Sequence, residues 1–283
     1  MPIAPASPAA HPLPPAGADW PDLALQALAL ASGVLVTVAE VRGSAPRGPG
    51  TCMLVQDEAV WGTIGGGHLE FEAMAHARGL LAGQALPDTR SFALGPSLGQ
   101  CCGGAVRLIF ERVDARAIPS LRPRLLPPAT PVALFGGGHV GHALVQALLP
   151  LPFDLHWIDS REGIFPADLP ARVRTEHAEP VQSAVPDLAP GSHVLIMSFS
   201  HAEDLDILIA CLQRQRRQQD LAMIGLIGSQ TKWATFRHRL EARGFAPDEI
   251  AAVTCPIGLP GITGKAPAVI AASVAAQLLM AVG

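Results

Sequence analysis

The sequence predicts an α/β protein in two parts: an N-terminal α+β domain followed by a Rossmann-like domain built on a parallel sheet. Three observations predict it. The apolar run Pro131–Phe135 feeds into Gly136-x-Gly138-x-x-Gly141 and then a helix-forming stretch, Ala143–Leu149. That is the strand, tight turn and helix start of a dinucleotide-type βαβ unit. Downstream, short apolar runs alternate with longer helix-like segments, as they do where helices cover both faces of a parallel sheet. Upstream, short β-branched runs are separated by Gly- and Pro-rich loops, and 283 residues are enough for two cores.

In chain order, residues 1–18 are rich in Pro and Ala and read as a disordered tail, without the basic start and unbroken apolar core of a signal peptide. The N-terminal domain spans 19–113. Asp19 is placed to cap a first helix that carries Pro21 early, runs through Leu23–Leu30 and stops near Gly33. Val34–Val41 is β-branched and predicts a strand, and Gly43–Gly50 is too dense in Gly and Pro for anything but a loop. Short strands follow at Cys52–Val55 and Ala59–Ile64. Gly65-Gly66-Gly67 breaks the second, His68–Leu81 has helical composition, and Val106–Val113 is a further strand. Residues 114–130, with Pro119, Pro123, Pro127 and Pro128, read as a Pro-rich interdomain linker. The second domain spans 131–283. After Phe153–Ile158 it offers strands at His193–Ser198 and Ala222–Ile227, helices near 202–218 and 231–243, and an apolar C-terminal helix, Pro267–Gly283, too short for a membrane span.

A net charge of −4 and a pI near 6.2 give no electrostatic footprint for nucleic acid or an anionic membrane, so neither is expected as a partner. Charged residues make up only 16 % and mean hydropathy is +0.32, which implies extensive burial and a homodimer interface. The five cysteines are Cys52, Cys101, Cys102, Cys211 and Cys255. An odd count in a long chain is read as reduced thiols in a cytoplasmic protein.

Candidate site residues gather in the glycine-rich stretches. Gly136 permits the turn, Gly138 lets a ligand phosphate approach the backbone, and Gly141 lets helix and strand pack closely. Asp159, at the end of the second strand of the unit, stands where a ribose-binding carboxylate belongs. Arg47 lies in the Gly43–Gly50 loop, where a guanidinium suits an anion or reads simply as a solvated turn residue. Gly65, Gly66 and Gly67 precede a helix, as an anion-binding nest or a sharp turn would, and Glu70 reads as a surface acid matched to the helix dipole. Cys101 and Cys102, flanked by glycines, sit where a reactive or metal-binding thiol belongs, with a pair of small buried residues as the plainer alternative. His201 follows a strand end as a contact, an acid–base group or a helix cap. Lys232 is expected to face the crevice beyond the carboxyl ends of the strands, as His201 does, and Arg214, Arg216 and Arg217 form a solvated helix face.

Taken together, the stretches GSAPRGPG at Gly43, TIGGGHLE at Thr63, LGQCCGG at Leu98, LFGGGHVGHAL at Leu134, WIDSR at Trp157, SFSHAEDLDIL at Ser198, GLIGSQTKWATF at Gly225 and CPIGLPGITGKAPAVIAASVAAQLL at Cys255 resemble the XdhC/CoxI family of xanthine dehydrogenase accessory proteins. The departures are Gln230 and Trp233, where basic residues are expected. The resemblance implies a non-enzymatic molybdenum cofactor chaperone. It would bind the molybdopterin form, protect it while a cysteine desulfurase installs a sulfido ligand, and deliver it to the apo form of xanthine dehydrogenase or a related hydroxylase. Molybdenum cofactor synthesis proteins would supply the cargo. On that reading Cys101 and Cys102 lie near molybdenum, with Cys102 as a metal contact, and Arg47, Gly65–Gly67, Gly136, Gly138, Gly141, Asp159 and His201 meet the cofactor's other groups. The glycine fingerprint and Asp159 also permit an alternative, an NAD(P)-dependent oxidoreductase.

Overall fold

The computed structural model describes residues 20–94, 103–126, 129–170 and 172–282, which fall into two compact units, the chain dividing between Pro127 and Pro128. The first holds an antiparallel five-stranded sheet and the second a parallel six-stranded sheet, as the sequence predicts.

In the first unit, α1 (Trp20–Leu30) leads into β1 (Gly33–Arg42), β2 (Cys52–Val55) and β3 (Val60–Gly62). Then come α2 (Gly67–Leu81), β4 (Thr89–Ala93), β5 (Ala105–Val113), a single 3-10 turn (Ala115–Ala117) and α3 (Ile118–Leu125). The strand order is β3-β2-β1-β5-β4. Alternation along β1 decides which helix each face receives. Val34, Val36 and Val38 join a core with Leu69, Ala73, Ala77 and Leu80 of α2, while Leu35 joins Ala24, Leu25 and Leu28 of α1 on the other face. Strand β4 went unpredicted because TRSFA carries one buried residue, Phe92, in an otherwise exposed edge.

The expected linker is a correction. Residues 114–126 fold onto the first unit. The Asp114 side chain accepts the Arg116 amide and so starts the turn, Pro119 sits in the first helical turn where its missing N–H costs nothing, and Leu121 and Leu125 are buried against α1. Proline density misled because two of the four prolines lie inside a helix, at its start and in its interior.

The second unit runs β6 (Thr130–Phe135), α4 (His139–Leu148), β7 (Phe153–Asp159), β8 (Val173–His177), a 3-10 segment (Val181–Asp187) and β9 (His193–Ile196). It continues with α5 (His201–Gln218), β10 (Met223–Leu226), α6 (Gln230–Glu241), α7 (Pro247–Ala251), β11 (Val253–Thr254) and α8 (Pro267–Val282). The order β8-β7-β6-β9-β10-β11 is that of a doubly wound dinucleotide fold, with the chain reversing direction between β6 and β9. Helices α4 and α8 cover one face, packing on Val132, Leu134 and Leu195, and α5 and α6 cover the other, packing on Phe135, Val194 and Ile196. The short strands β8 and β11 carry too few apolar residues to announce themselves.

Arg214 is not part of a solvated face: it is 3 % exposed, ion-paired to Asp220, and donates to the carbonyls of Val185, Pro186 and Leu188, tying α5 to the 3-10 segment.

Two outcomes test this fold. Leu121→Ala is expected to cost about 2–4 kcal/mol in urea unfolding, the range for a buried Leu; a true linker would show almost no change. Stability is also expected to fall with acid. Burial alone holds the His193 imidazole below its ordinary pKa, and burial followed by the Arg174 charge does the same for His156 against the pull of Glu176. Below about pH 6.5 the unfolded chain takes up protons that these folded-state imidazoles refuse, so stability drops as pH falls. His193→Gln should flatten the fall in melting temperature between about pH 7.5 and 5.5.

Candidate ligand-binding loops

In the first unit the end of β1, the start of β2, the ends of β3 and β4 and the start of β5 lie along one sheet edge, as the registers Arg42↔Ala105, Ala93↔Ala105, Thr37↔Cys52 and Met53↔Gly62 require. The Gly43–Gly50 loop, the Thr63–Gly66 turn and the ends of the β4–β5 connection therefore share that edge. They touch. A Cβ on Gly65 would come within 2.6 Å of Pro46 Cβ and 3.5 Å of Arg47 Cγ, and one on Gly104 within 2.3 Å of the Ser44 carbonyl oxygen. The Leu94 amide donates to Gly104 O at 2.7 Å, closing the β4–β5 connection at its base. Arg47 is exposed and forms no ion pair or hydrogen bond among the described residues. Cys101 and Cys102 lie outside the described residues.

Gly65, Gly66 and Gly67 all have positive φ (122°, 75° and 68°), a run that only glycine adopts without strain. Their turn is not an open nest, however. Glu70 Oε2 accepts from Thr63 Oγ1 at 2.6 Å, Ile64 N at 3.1 Å and Gly66 N at 3.0 Å, while Thr63 Oγ1 in turn accepts from Gly65 N at 3.1 Å. Glu70 is half-buried and inward-turned, not the surface acid its place in the first helical turn suggests.

In the second unit the crevice beyond the carboxyl ends of β6 and β9 is the topological switch point where open α/β sheets bind ligands. Gly136 and Gly141 are there for space: a Cβ would fall 2.1 Å from Met197 O at the first and 2.0 Å from Gly136 O at the second. Gly138 differs. Its backbone is extended (φ −79°, ψ −174°) and a Cβ there would meet no atom within 4 Å, so the fold itself does not require glycine. Asp159 is 2 % exposed and its two oxygens accept four hydrogen bonds: from Gly137 N at 2.5 Å and from the Arg161 amide, Nε and Nη2, each at 2.9 Å. Four is about what a carboxylate can accept, which leaves no place for ribose hydroxyls. Burial pushes its pKa up, but the Arg161 side chain, then the Gly137 and Arg161 amides, outweigh this and hold it below the usual carboxylate range.

Arg161 also lies over the Phe199 ring at 4.8 Å, and Ser160 Oγ donates to Glu203 at 2.7 Å, so the end of β7 is joined to the start of α5. Sequence reading passed over Arg161 and Glu203; their signals were Arg two residues after the strand-ending Asp and Ser200-x-x-Glu203 at a helix start. Ser200, not His201, caps α5 by accepting the Glu203 amide, and His201 is exposed with its ring edge-on to Phe236. Lys232 reaches the carboxyl ends of β9 and β10, but its charge is spent there on an internal pair. Its ammonium donates to Asp204 Oδ2 at 2.6 Å and Ile227 O at 2.9 Å, while Asp204 Oδ1 accepts from Ser198 N and Oγ. The Cys255–Ile262 loop is tied to α8 through Gly258 N to Gln277 and Leu259 N to Ser273. Burial raises the Cys255 thiol to about 11, which makes it a poor nucleophile. No group of three or more metal-ligating side chains occurs among the described residues, and no helix there is long and apolar enough to cross a membrane.

An antiparallel α+β unit followed by a six-stranded Rossmann unit, each with its glycine loops at one sheet edge, defines the class of protein. Comparison places it further. Residues 29–92 match the model of the XdhC and CoxI family and residues 132–278 that of the XdhC Rossmann domain. The chain belongs to the XdhC and CoxI family. The segment with Cys101 and Cys102 lies between the two matches. A curated relative, the uncharacterized protein YqeB of Escherichia coli K12, is 30 % identical over 257 residues, 87 % of this chain but 42 % of its own length, so the chain spans under half of that relative. A solved Bacillus halodurans protein described as a xanthine dehydrogenase shares the fold with a TM-score of 0.76 at 22 % identity, over 94 % of this chain and 96 % of its own.

Asp159→Asn tests the closed reading of the second-unit crevice. The amide places an N–H against Gly137 N or Arg161 in a dry site, so a loss of about 3 kcal/mol is expected in chemical unfolding at neutral pH. The difference from wild type should shrink as pH falls through the carboxylate range, because a depressed pKa contributes stability only above the unfolded value.

Proposed function

We propose that the protein is an accessory protein that carries molybdenum cofactor on the loop edge of its first unit. It protects the cofactor during sulfuration by a cysteine desulfurase and passes it to an apo molybdenum hydroxylase of the xanthine dehydrogenase type. The observation that carries this reading is the convergence on one sheet edge of two glycine-bearing loops and the described ends of the β4–β5 connection, with the exposed cation Arg47 among them. The cofactor is cargo with an anionic phosphate, a hydrogen-bonding pterin and a soft, sulfur-bound metal. Arg47 suits the phosphate, since a guanidinium binds oxyanions through paired N–H groups. The thiols of Cys101 and Cys102 suit molybdenum by softness. Family membership supports an accessory role, and the molybdenum-specific part, the homodimer and a cytoplasmic location are part of the proposal.

The nicotinamide-dependent alternative draws less support. It needs Asp159 free for the ribose, and all four of that carboxylate's hydrogen bonds are internal.

Titration of purified protein with released molybdenum cofactor tests the proposal. Stoichiometric binding is expected, weakened about tenfold or more by Arg47→Ala, the loss of one charge-assisted contact, and weakened by Cys102→Ala. Gly138→Val, whose backbone and surroundings tolerate a side chain, should leave this binding unchanged. Loss with Gly138→Val alone would move the cargo to the second unit. Binding of NAD(H) without any binding of molybdenum cofactor would replace the chaperone reading by the oxidoreductase.

A further inference from the structure

We propose that Glu70 is the positioning residue for Arg47: its carboxylate is the permanent occupant of the Thr63–Gly66 turn, and by holding that turn it fixes the surface on which Pro46 and Arg47 rest. The inference rests on the cofactor-carrying role proposed for this loop edge, and its first test is independent of that role.

The chain of contacts is short. Glu70 Oε2 gathers the Thr63 hydroxyl and the Ile64 and Gly66 amides, three donors on one oxygen. Gly65, between the two amides, is locked at a φ of 122°, and its own amide is held by Thr63 Oγ1. The Gly65 backbone is the wall against which Pro46 packs, at a distance that excludes even a Cβ, with Arg47 Cγ beside it. Without Glu70, the Ile64 and Gly66 amides and the Thr63 hydroxyl lose a shared charged acceptor at once, and the positive-φ run is less firmly determined. The turn would relax, and Arg47, which no other hydrogen bond or ion pair among the described residues holds, would lose its support.

The same contacts reassign the roles within the loop edge. An incoming phosphate meets a turn whose amides already serve a carboxylate, so Gly65 to Gly67 shape the site and Arg47 is the group left to meet the anion. A carboxylate seated in the turn also keeps stray phosphate from occupying it.

The test has two arms. In cofactor-free protein, trypsin cleavage of the Arg47–Gly48 bond reports opening of the loop. Glu70→Ala is expected to speed that cleavage about tenfold, the effect of removing a charged acceptor, with cleavage elsewhere unchanged. Thr63→Val, which removes one of the three donors and the acceptor for Gly65 N, should give an intermediate rate and keeps the test open if Glu70→Ala does not fold. Unchanged cleavage at Arg47 in folded Glu70→Ala or Thr63→Val overturns the proposal. In the second arm, cofactor affinity is measured for Arg47→Ala, Glu70→Ala and the double variant. The double variant is expected to bind no more weakly than Arg47→Ala alone, because Glu70 acts through Arg47. Fully additive losses overturn it. If wild type binds no molybdenum cofactor, the functional proposal fails while the cleavage arm still decides the role of Glu70.

Discussion

A glycine-rich turn leaves backbone amides without a helix or strand partner, and both units of this protein meet that constraint with a carboxylate of their own. Glu70 takes up the Ile64 and Gly66 amides in the first unit, and Asp159 takes up the Gly137 amide in the second. Each carboxylate is held from behind, Glu70 by the Thr63 hydroxyl and Asp159 by three donors of Arg161. The turns are thereby closed by the protein's own groups. What remains for a ligand is the outer surface of each turn: Arg47 on one, the open side of Gly138 on the other.

This arrangement separates fold from function inside the glycine motifs. In the second unit Gly136 and Gly141 are demanded by packing against Met197 and against each other, so their presence reports the Rossmann turn and nothing about a nucleotide. Gly138 alone of the three stands in open space. The acidic residue that the fingerprint reserves for ribose is here an internal counter-charge, locked by an arginine two residues on. A motif of this type therefore describes a backbone shape first, and its ligand has to be argued from which donors and acceptors stay unspent.

Much of this was legible in the sequence, and the failures share causes. The strong β-branched and apolar runs, such as Val34–Val41 and Phe153–Ile158, fell where predicted because tertiary burial agrees with local preference there. Strands β4, β8 and β11 were missed because edge strands bury too little to leave a pattern. Residues 114–126 were misread because proline inside a helix carries the composition of a linker, which masked the helical spacing of Ile118, Leu121 and Leu125. Arg214 was assigned by residue type to a solvated face and is instead drawn inward by Asp220, while Lys232 stands at the strand ends as expected but is paired there with Asp204. For the site, composition gave the loops and topology brought them to one edge. Glu70 was visible only as a helix-start acid, since nothing in a sequence says that a carboxylate four residues past a helix cap bends back into the turn before it.

Hydrogen–deuterium exchange of the full chain with and without released molybdenum cofactor tests the central claim most directly, that the loop edge of the first unit carries the cargo. Added protection is expected in peptides covering 43–50 and 103–105, little change at 63–67 because Glu70 already holds amides there, and none at 136–141. Protection concentrated at 136–141 and 198–201, with the first unit unchanged, would contradict it.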